Sequence, residues 1–239
     1  MAEIIRVAIL EDHPAIADGY KSYLEDETDI QLVGTLEVGE ELPDFLVTHS
    51  PIHVLLLDVG VPTSHTNNSP YPILYLMPQL LQRHPGLNIL VISMHKQKAL
   101  IKAIVEAGAS GFVFKDDRET LQKFSSVIHM IASGGIYFSR EAHQLFMRQP
   151  LQTAHLSPRQ LEVLSLCAAY PEKTTAELAE KLAVADATVL NTLSILYERL
   201  GVRGRAAALA KARELGLIAE KPSYPMPDSS AGADAGLFI

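Results

Sequence analysis

Along the first half of the chain, short apolar runs alternate with longer stretches whose apolar residues recur three and four apart. The runs Val7–Leu10, Ile30–Val33, Val54–Leu57, Ile89–Ile92 and Phe112–Phe114 predict five buried strands. The stretches Ile16–Leu24, Leu42–Val47, Leu100–Val105 and Leu121–Ile131 predict amphipathic helices between them. Strands this uniformly apolar need cover on both faces, as in a parallel sheet wrapped by helices. The expected fold is α/β, a doubly wound five-stranded parallel sheet that binds ligands beyond the carboxyl ends of its strands. The third crossover breaks the pattern. Val59 to Pro72 is rich in turn formers and has no helical period. Its helix begins either at Pro72, with Pro78 inside it, or near Pro78.

Gly134-Gly135 closes the fifth helix, and beyond His155 the strand signals stop. Four helices are predicted there: Ser157–Tyr170, Thr174–Leu182, Asp186–Leu200 and Arg205–Leu215. Ser157 with Gln160, and Thr174 with Glu177, have the spacing of capping boxes, while Gly201 and Gly216 suit helix stops. The chain therefore divides into an α/β domain over 1–133, a linker with a short helix over 134–155, a second, all-α four-helix domain over 156–219 and a flexible tail over 220–239.

Composition narrows the class. A length of 239 residues, 48% hydrophobic, supports two modest domains with buried cores and excludes wholesale disorder. The single cysteine, Cys167, excludes a disulfide framework and a cysteine-only metal site. The opening residues lack the basic region of a signal peptide, and no apolar stretch is long enough to span a bilayer, so a soluble, cytoplasmic protein is expected. A net charge of −8 argues at first against nucleic acid as a partner. That charge is unevenly placed: residues 1–150 carry −7, residues 151–221 carry +1 and the remaining tail carries −2. The acidity belongs to the first domain.

Its strand ends carry chemistry. Glu11 and Asp12 follow the first strand, Asp58 the third, Ser93 the fourth and Lys115 the fifth. In a doubly wound sheet these positions converge on one crevice. Three carboxylates there repel unless a cation joins them, and a hard, oxygen-liganded Mg²⁺ fits. The metal and Lys115 would neutralise an incoming phosphoryl group, Ser93 would donate to its oxygens, and Asp58 would be the nucleophile. Singly, each residue has a plainer role: Asp12 as a helix cap, Asp58 in a turn, Ser93 as a cap, Lys115 as a solvated charge. Jointly, four of five strand ends carry what phosphoryl transfer requires.

At this point the sequence resembles a known class. Residues 4–133 resemble a response-regulator receiver domain through Ala8–Pro14, Leu55–Pro62, Val91–Ser93 and Gly108–Asp116. Residues 156–218 resemble a LuxR-type helix-turn-helix through Leu156–Leu164. Together they resemble the NarL/FixJ class of two-domain transcription regulators, which are not enzymes beyond self-catalysed phosphoryl transfer to, and hydrolysis from, the receiver aspartate. The resemblance implies that Asp58 accepts a phosphoryl group from a sensor histidine kinase, with Mg²⁺ held by Glu11, Asp12, Asp58 and the Gly60 backbone carbonyl. It also implies that Ser93 follows the phosphoryl group and lets Phe112, the switch aromatic, change rotamer, which biases the surface of the fourth helix, fifth strand and fifth helix. Phe112 is equally read as a core aromatic. The loop after Asp58 is longer than the family's and is read as a lid, a partner contact or a tolerated insertion. His49 and His53 are read as surface residues, because Pro51 breaks the helix that would align them, and His95, two residues past Ser93, as a solvated side chain or a shield of the phosphoryl group from water.

In the second domain, Val189, Leu193, Leu196 and Leu200 recur at helical spacing and should face the core, as should an inert Cys167. Asp186–Leu200 is then the recognition helix, presenting Ala187, Leu190, Asn191, Ser194 and Glu198, flanked by Thr188 and Thr192. Thr188, Leu190, Asn191 and Ser194 are the candidate base contacts, with Arg199, Arg203 and Arg205, helped by Lys173 and Lys211, the candidate phosphate contacts. Where related proteins place lysine and histidine, this helix has Ala187, Leu190 and Thr192. The Tyr170–Lys173 turn is about two residues longer than the family's. Two outputs therefore stand: DNA binding as a homodimer paired through the alanine-rich fourth helix, or a degenerate module serving dimerisation or protein contact. A haloacid-dehalogenase-like hydrolase would need a second acid where Gly60 stands, and a cobalamin-binding domain needs a motif that Glu11-Asp12-His13 does not supply.

Overall fold

The computed structural model describes residues 4–147 and 156–219; residues 148–155 of the expected linker and the expected tail 220–239 lie outside the described residues. The five expected strands form as β1 (Ile5–Leu10), β2 (Ile30–Leu36), β3 (Val54–Leu57), β6 (Asn88–Ser93) and β7 (Gly111–Phe114). All neighbours are parallel, in the order β2-β1-β3-β6-β7, and a short sixth strand, β8 (Tyr137–Phe138), pairs with β7. Two residues carry no readable alternation, so the sixth strand had no signal of its own. Their backbones extend the sheet because Gly111 lets the Tyr137 carbonyl approach: a Cβ on Gly111 would stand 2.3 Å from that oxygen. The order reverses between β1 and β3, and there the strand ends open a crevice.

Alternate side chains of the sheet supply two cores. Val7, Ile9, Val54, Leu56 and Ile92 face α1 (Pro14–Ser22) and α6 (Phe124–Ala132) on one side. Ala8, Leu10, Leu55, Leu57 and Val91 face α2 (Leu42–Thr48), α3 (Ile73–Arg83) and α4 (Lys98–Glu106) on the other. The expected fifth helix is split, with α5 (Arg118–Gln122) preceding α6. Of the two starts open for the third helix, the earlier is adopted: α3 begins at Ile73 and runs through an exposed Pro78. The loop after Asp58 is more ordered than its composition suggests. β4 (Pro62–Ser64) and β5 (Asn67–Pro70) pair there as an antiparallel hairpin.

After α7 (Arg140–Met147) comes the helical module: α8 (Pro158–Ala169), α9 (Thr175–Lys181), α10 (Asp186–Leu200) and α11 (Arg205–Glu214). Both capping boxes form, Ser157 with Gln160 and Thr174 with Glu177. Gly201 ends α10 at φ 66°, a left-handed conformation in which glycine pays no Cβ penalty. Val189, Leu193, Leu196 and Leu200 are buried as the spacing predicts. Between Gln160 and Ala169 of α8, only Glu162 escapes full burial, because α8 faces the module core on one side and α3 and α4 on the other. Burial holds the Cys167 thiol above its ordinary pKa, against a smaller lowering by Arg205. A thiol reagent is therefore expected to leave the native chain unlabelled and to label it on denaturation. Rapid native labelling would show that the module core opens.

Candidate functional site

Four strands, β1, β3, β6 and β7, end by delivering a side chain into the crevice, and the backbone registers them. The Asp58 amide donates to the Leu10 carbonyl at 3.0 Å, and the Lys115 amide donates to the Ser93 carbonyl at 3.0 Å. These bonds bring the ends of β1 and β3 together, and those of β6 and β7. Lys115 Nζ lies 2.6 Å from Glu11 Oε2 and 2.9 Å from Asp58 Oδ2, with all three side chains 4% exposed or less. Asp58 Oδ1 accepts the Gly60 amide at 3.2 Å, which fixes the carboxylate in the turn that follows. Ser93, fully buried, accepts the His95 amide on its hydroxyl at 3.1 Å.

Electrostatically the cluster is tightly coupled. Burial pushes the Glu11 carboxyl above its usual pKa and the Asp58 charge adds to this, while Lys115 opposes both. Burial alone would pull the Lys115 ammonium down, but the Asp58 and Glu11 carboxylates together outweigh it and raise it. Among the described residues, the Lys115 ammonium meets both Glu11 and Asp58, and His13 meets Glu11 and Asp12. Such a cluster of hard oxygen donors suits a divalent cation. Glu11, Asp12 and His13 offer ligand atoms within 4.8 Å of one another. His13 Nδ1 lies 3.0 Å from Asp12 Oδ1 and 3.3 Å from Glu11 Oε1. His13 directly follows the acid pair and precedes Pro14, so the sequence signal at this position is that of a helix start as well as of a ligand.

Phe112 is fully buried and meets Phe114 edge-on at 5.4 Å, so it occupies a core position three residues before Lys115. His95 is buried, not solvated, because its backbone turns inward to reach Ser93. His49 and His53 are half-buried fixtures of the far end of the sheet. His49 stacks on Phe45 at 4.1 Å, and His53 Nδ1 accepts the Arg6 amide at 3.0 Å.

On the module, Ala187, Thr188, Leu190, Asn191, Ser194 and Glu198 are exposed along one face of α10, with Thr192 half-buried. Two of the three expected phosphate contacts have internal partners. Arg199 donates to Gln160 Oε1 at 3.0 Å, and Arg205 donates to the Lys173 carbonyl. Arg203 is exposed. Lys173 and Lys211 pair with Glu177 and Glu214 at 3.5 and 2.7 Å.

Comparison with known proteins agrees with this layout. Residues 7–125 match the response regulator receiver domain, and residues 154–212 match the bacterial regulatory proteins of the luxR family. The chain is 28% identical over 226 residues to the transcriptional regulatory protein MctR of Rhizobium johnstonii, covering 90% of this chain and 96% of that one. It is 28% identical over 225 residues to the probable transcriptional regulatory protein NarL of Mycobacterium tuberculosis, covering 90% and 97%. Among solved structures, RcsB of Salmonella enterica serovar Typhimurium bound to a promoter with a phosphomimetic shares the fold at a TM-score of 0.59 and 22% identity, covering 87% of this chain and 98% of that one. RcsB dimers bound to DNA give a TM-score of 0.55, also at 22% identity, covering 89% and 100%.

Proposed function

Because the chain belongs to the response-regulator receiver family and carries a luxR-family regulatory domain behind it, we propose that Asp58 accepts a phosphoryl group from a sensor histidine kinase and that the helical module turns this into transcriptional control by binding DNA. The observation that carries the reading is the contact of one buried ammonium, Lys115, with both Glu11 and Asp58 at the sheet's switch point. An Asp58 carboxylate oxygen attacks phosphorus, the P–N bond of the kinase phosphohistidine breaks, and the electron pair leaves with the imidazole, which takes a proton from solvent. Lys115 stands where the charge of the phosphoryl oxygens develops, and the Ser93 hydroxyl is placed to donate to one of them. Glu11, Asp12, Asp58 and the Gly60 carbonyl would hold Mg²⁺, which supplies further charge neutralisation. Phe112 has the position to follow Ser93, and the surface it would bias, on α4 and β7, lies under α7.

The family is one of transcriptional regulators, not of conventional enzymes; chemistry at Asp58 is self-catalysed. The working units are a receiver and the module over 156–219, joined by the segment 134–155, whose β8 and α7 pack on the receiver. No helix among the described residues is long and apolar enough to cross a membrane. Ala206, Ala207 and Ala210 are exposed on α11, and this suits pairing of two modules on DNA. The relatives' names favour DNA output over a degenerate module.

Incubation with Mg²⁺ and a small phosphodonor, followed by intact mass, tests the acceptor. One phosphoryl group is expected on the wild-type chain and none on Asp58→Asn. A gain that persists in Asp58→Asn would reject Asp58.

A further inference from the structure

The hairpin inserted behind Asp58 and the residues that follow α11 have no part in the chemistry above, yet they meet. The hairpin leads into Tyr71, whose ring lies so close over Gly39 that a Cβ there would stand 2.1 Å from it. From this base the Asn67 side-chain amide donates to the Ala169 carbonyl at 2.8 Å, satisfying a carbonyl in the last turn of α8. Tyr75 of α3 does the same at the end of α9, donating its hydroxyl to the Lys181 carbonyl. On the other side, the buried segment Leu217–Ala219 lines the same apolar cavity as Val59, Tyr71 and Leu100. Gly216, at φ 64°, lets the chain turn into that cavity, and its backbone presses on Gln97, the residue before α4.

Three of these neighbours follow the strand ends that form the site. Val59 follows Asp58 directly, and Gln97 and Leu100 stand at the start of α4, just beyond the Ser93 loop. Val59, Gly60 and Val61 are all buried, and Val59 shares its cavity with Pro70 of the hairpin and with Leu217–Ala219 of the module. The reading face of α10 takes no part, since Leu190 remains 53% exposed. Docking thus fastens the module through α8 and its C-terminal end while leaving the recognition helix open.

We propose that the hairpin Pro62–Pro70 is an intramolecular docking surface for the chain's own C-terminal module, and that the docked segment Gly216–Ala219 is a positioning element for the turn Val59–Val61 that carries the acceptor site. The second half rests on reading Asp58 as the phosphoacceptor. The physical reason is preorganisation: a turn held in place by packing on both sides presents the Asp58 carboxylate and Gly60 carbonyl in one geometry, and small misplacements of reacting groups cost large factors in rate.

The test uses the full chain with Ile218→Asp, which puts a charge into the apolar seat, Asn67→Ala, which removes one hydrogen bond at its rim, and Ile218→Val as the conservative control. Amide hydrogen exchange without metal or phosphodonor is expected to be about tenfold or more faster over 59–72 in Ile218→Asp, and moderately faster in Asn67→Ala. Exchange in β1, β3 and β6 should stay slow, which excludes global unfolding. With Mg²⁺ and a small phosphodonor, the rate of mass gain should fall roughly ten- to a hundredfold in Ile218→Asp and be retained in Ile218→Val. Unchanged exchange over 59–72 in both disruptive variants would overturn the docking. Faster exchange with an unchanged or higher rate of mass gain would overturn the positioning role. A wild-type chain that takes no phosphoryl group on Asp58 would reject the acceptor reading, and the positioning role with it, while the exchange comparison still decides the docking.

Discussion

Lys115→Met is expected to slow phosphoryl transfer to Asp58 by about 10²–10³-fold, the usual effect of deleting one donor aimed at developing charge. The same substitution should weaken the fold, for a separate reason. The Lys115 ammonium is the cation in contact with two buried carboxylates, Glu11 at 2.6 Å and Asp58 at 2.9 Å. Removing one partner of a buried ion pair leaves uncompensated charge and costs about 3–5 kcal/mol. Mg²⁺ should return much of that loss, because it would draw on the same oxygens. The variant is therefore expected to gain more melting temperature from added Mg²⁺ than the wild-type chain does. Rates of mass gain and melts with and without Mg²⁺ separate the two effects. A rate within threefold of wild type, or an equal Mg²⁺ response in both chains, would remove Lys115 from the role.

Most of that site was legible because its parts are tied to strands. A run such as Val54–Leu57 is buried on both faces, so its pattern is unambiguous, and the residue after it must sit at the crevice. Glu11, Asp58, Ser93 and Lys115 could all be located this way. What the pattern left out depends on contacts made far along the chain. β4 and β5 contain Pro, Thr, Ser and Asn in no period, and the tertiary partner of Asn67 lies 102 residues away. β8 is two residues long, too short for alternation to show, and exists because β7 offers an open edge. Arg199 and Arg205 read as free cations beside a recognition helix, but Gln160 and the Lys173 carbonyl engage them. Local pattern locates a charged side chain on a helix, but the partner that takes up its charge is set by packing.

The engagement of those two arginines shapes the last expectation, that specific DNA binding will fall with salt along a slope at the lower end of the usual range. Each phosphate contact contributes about −0.9 to the slope of log affinity against log salt. A dimer making roughly six such contacts would show a slope of about −5, and lose about a thousandfold in affinity between 50 and 200 mM salt. Arg203, exposed in the turn between α10 and α11, is the best placed of the three expected arginines. Arg203→Ala should weaken all sequences alike and reduce the slope by about one per module. Asn191→Ala, on the exposed face of α10, should instead cost about 5- to 150-fold on the specific site and little on random DNA. Arg199→Ala should act through stability, since it deprives Gln160 of a partner at 3.0 Å, and so lower the melting temperature before it alters the slope. Binding titrated against salt on genomic fragments, with and without phosphodonor, checks all three. Affinity that ignores salt in both states would remove DNA as the output. The exposed Leu190 face of α10, open while the module is docked, would then belong to a protein contact.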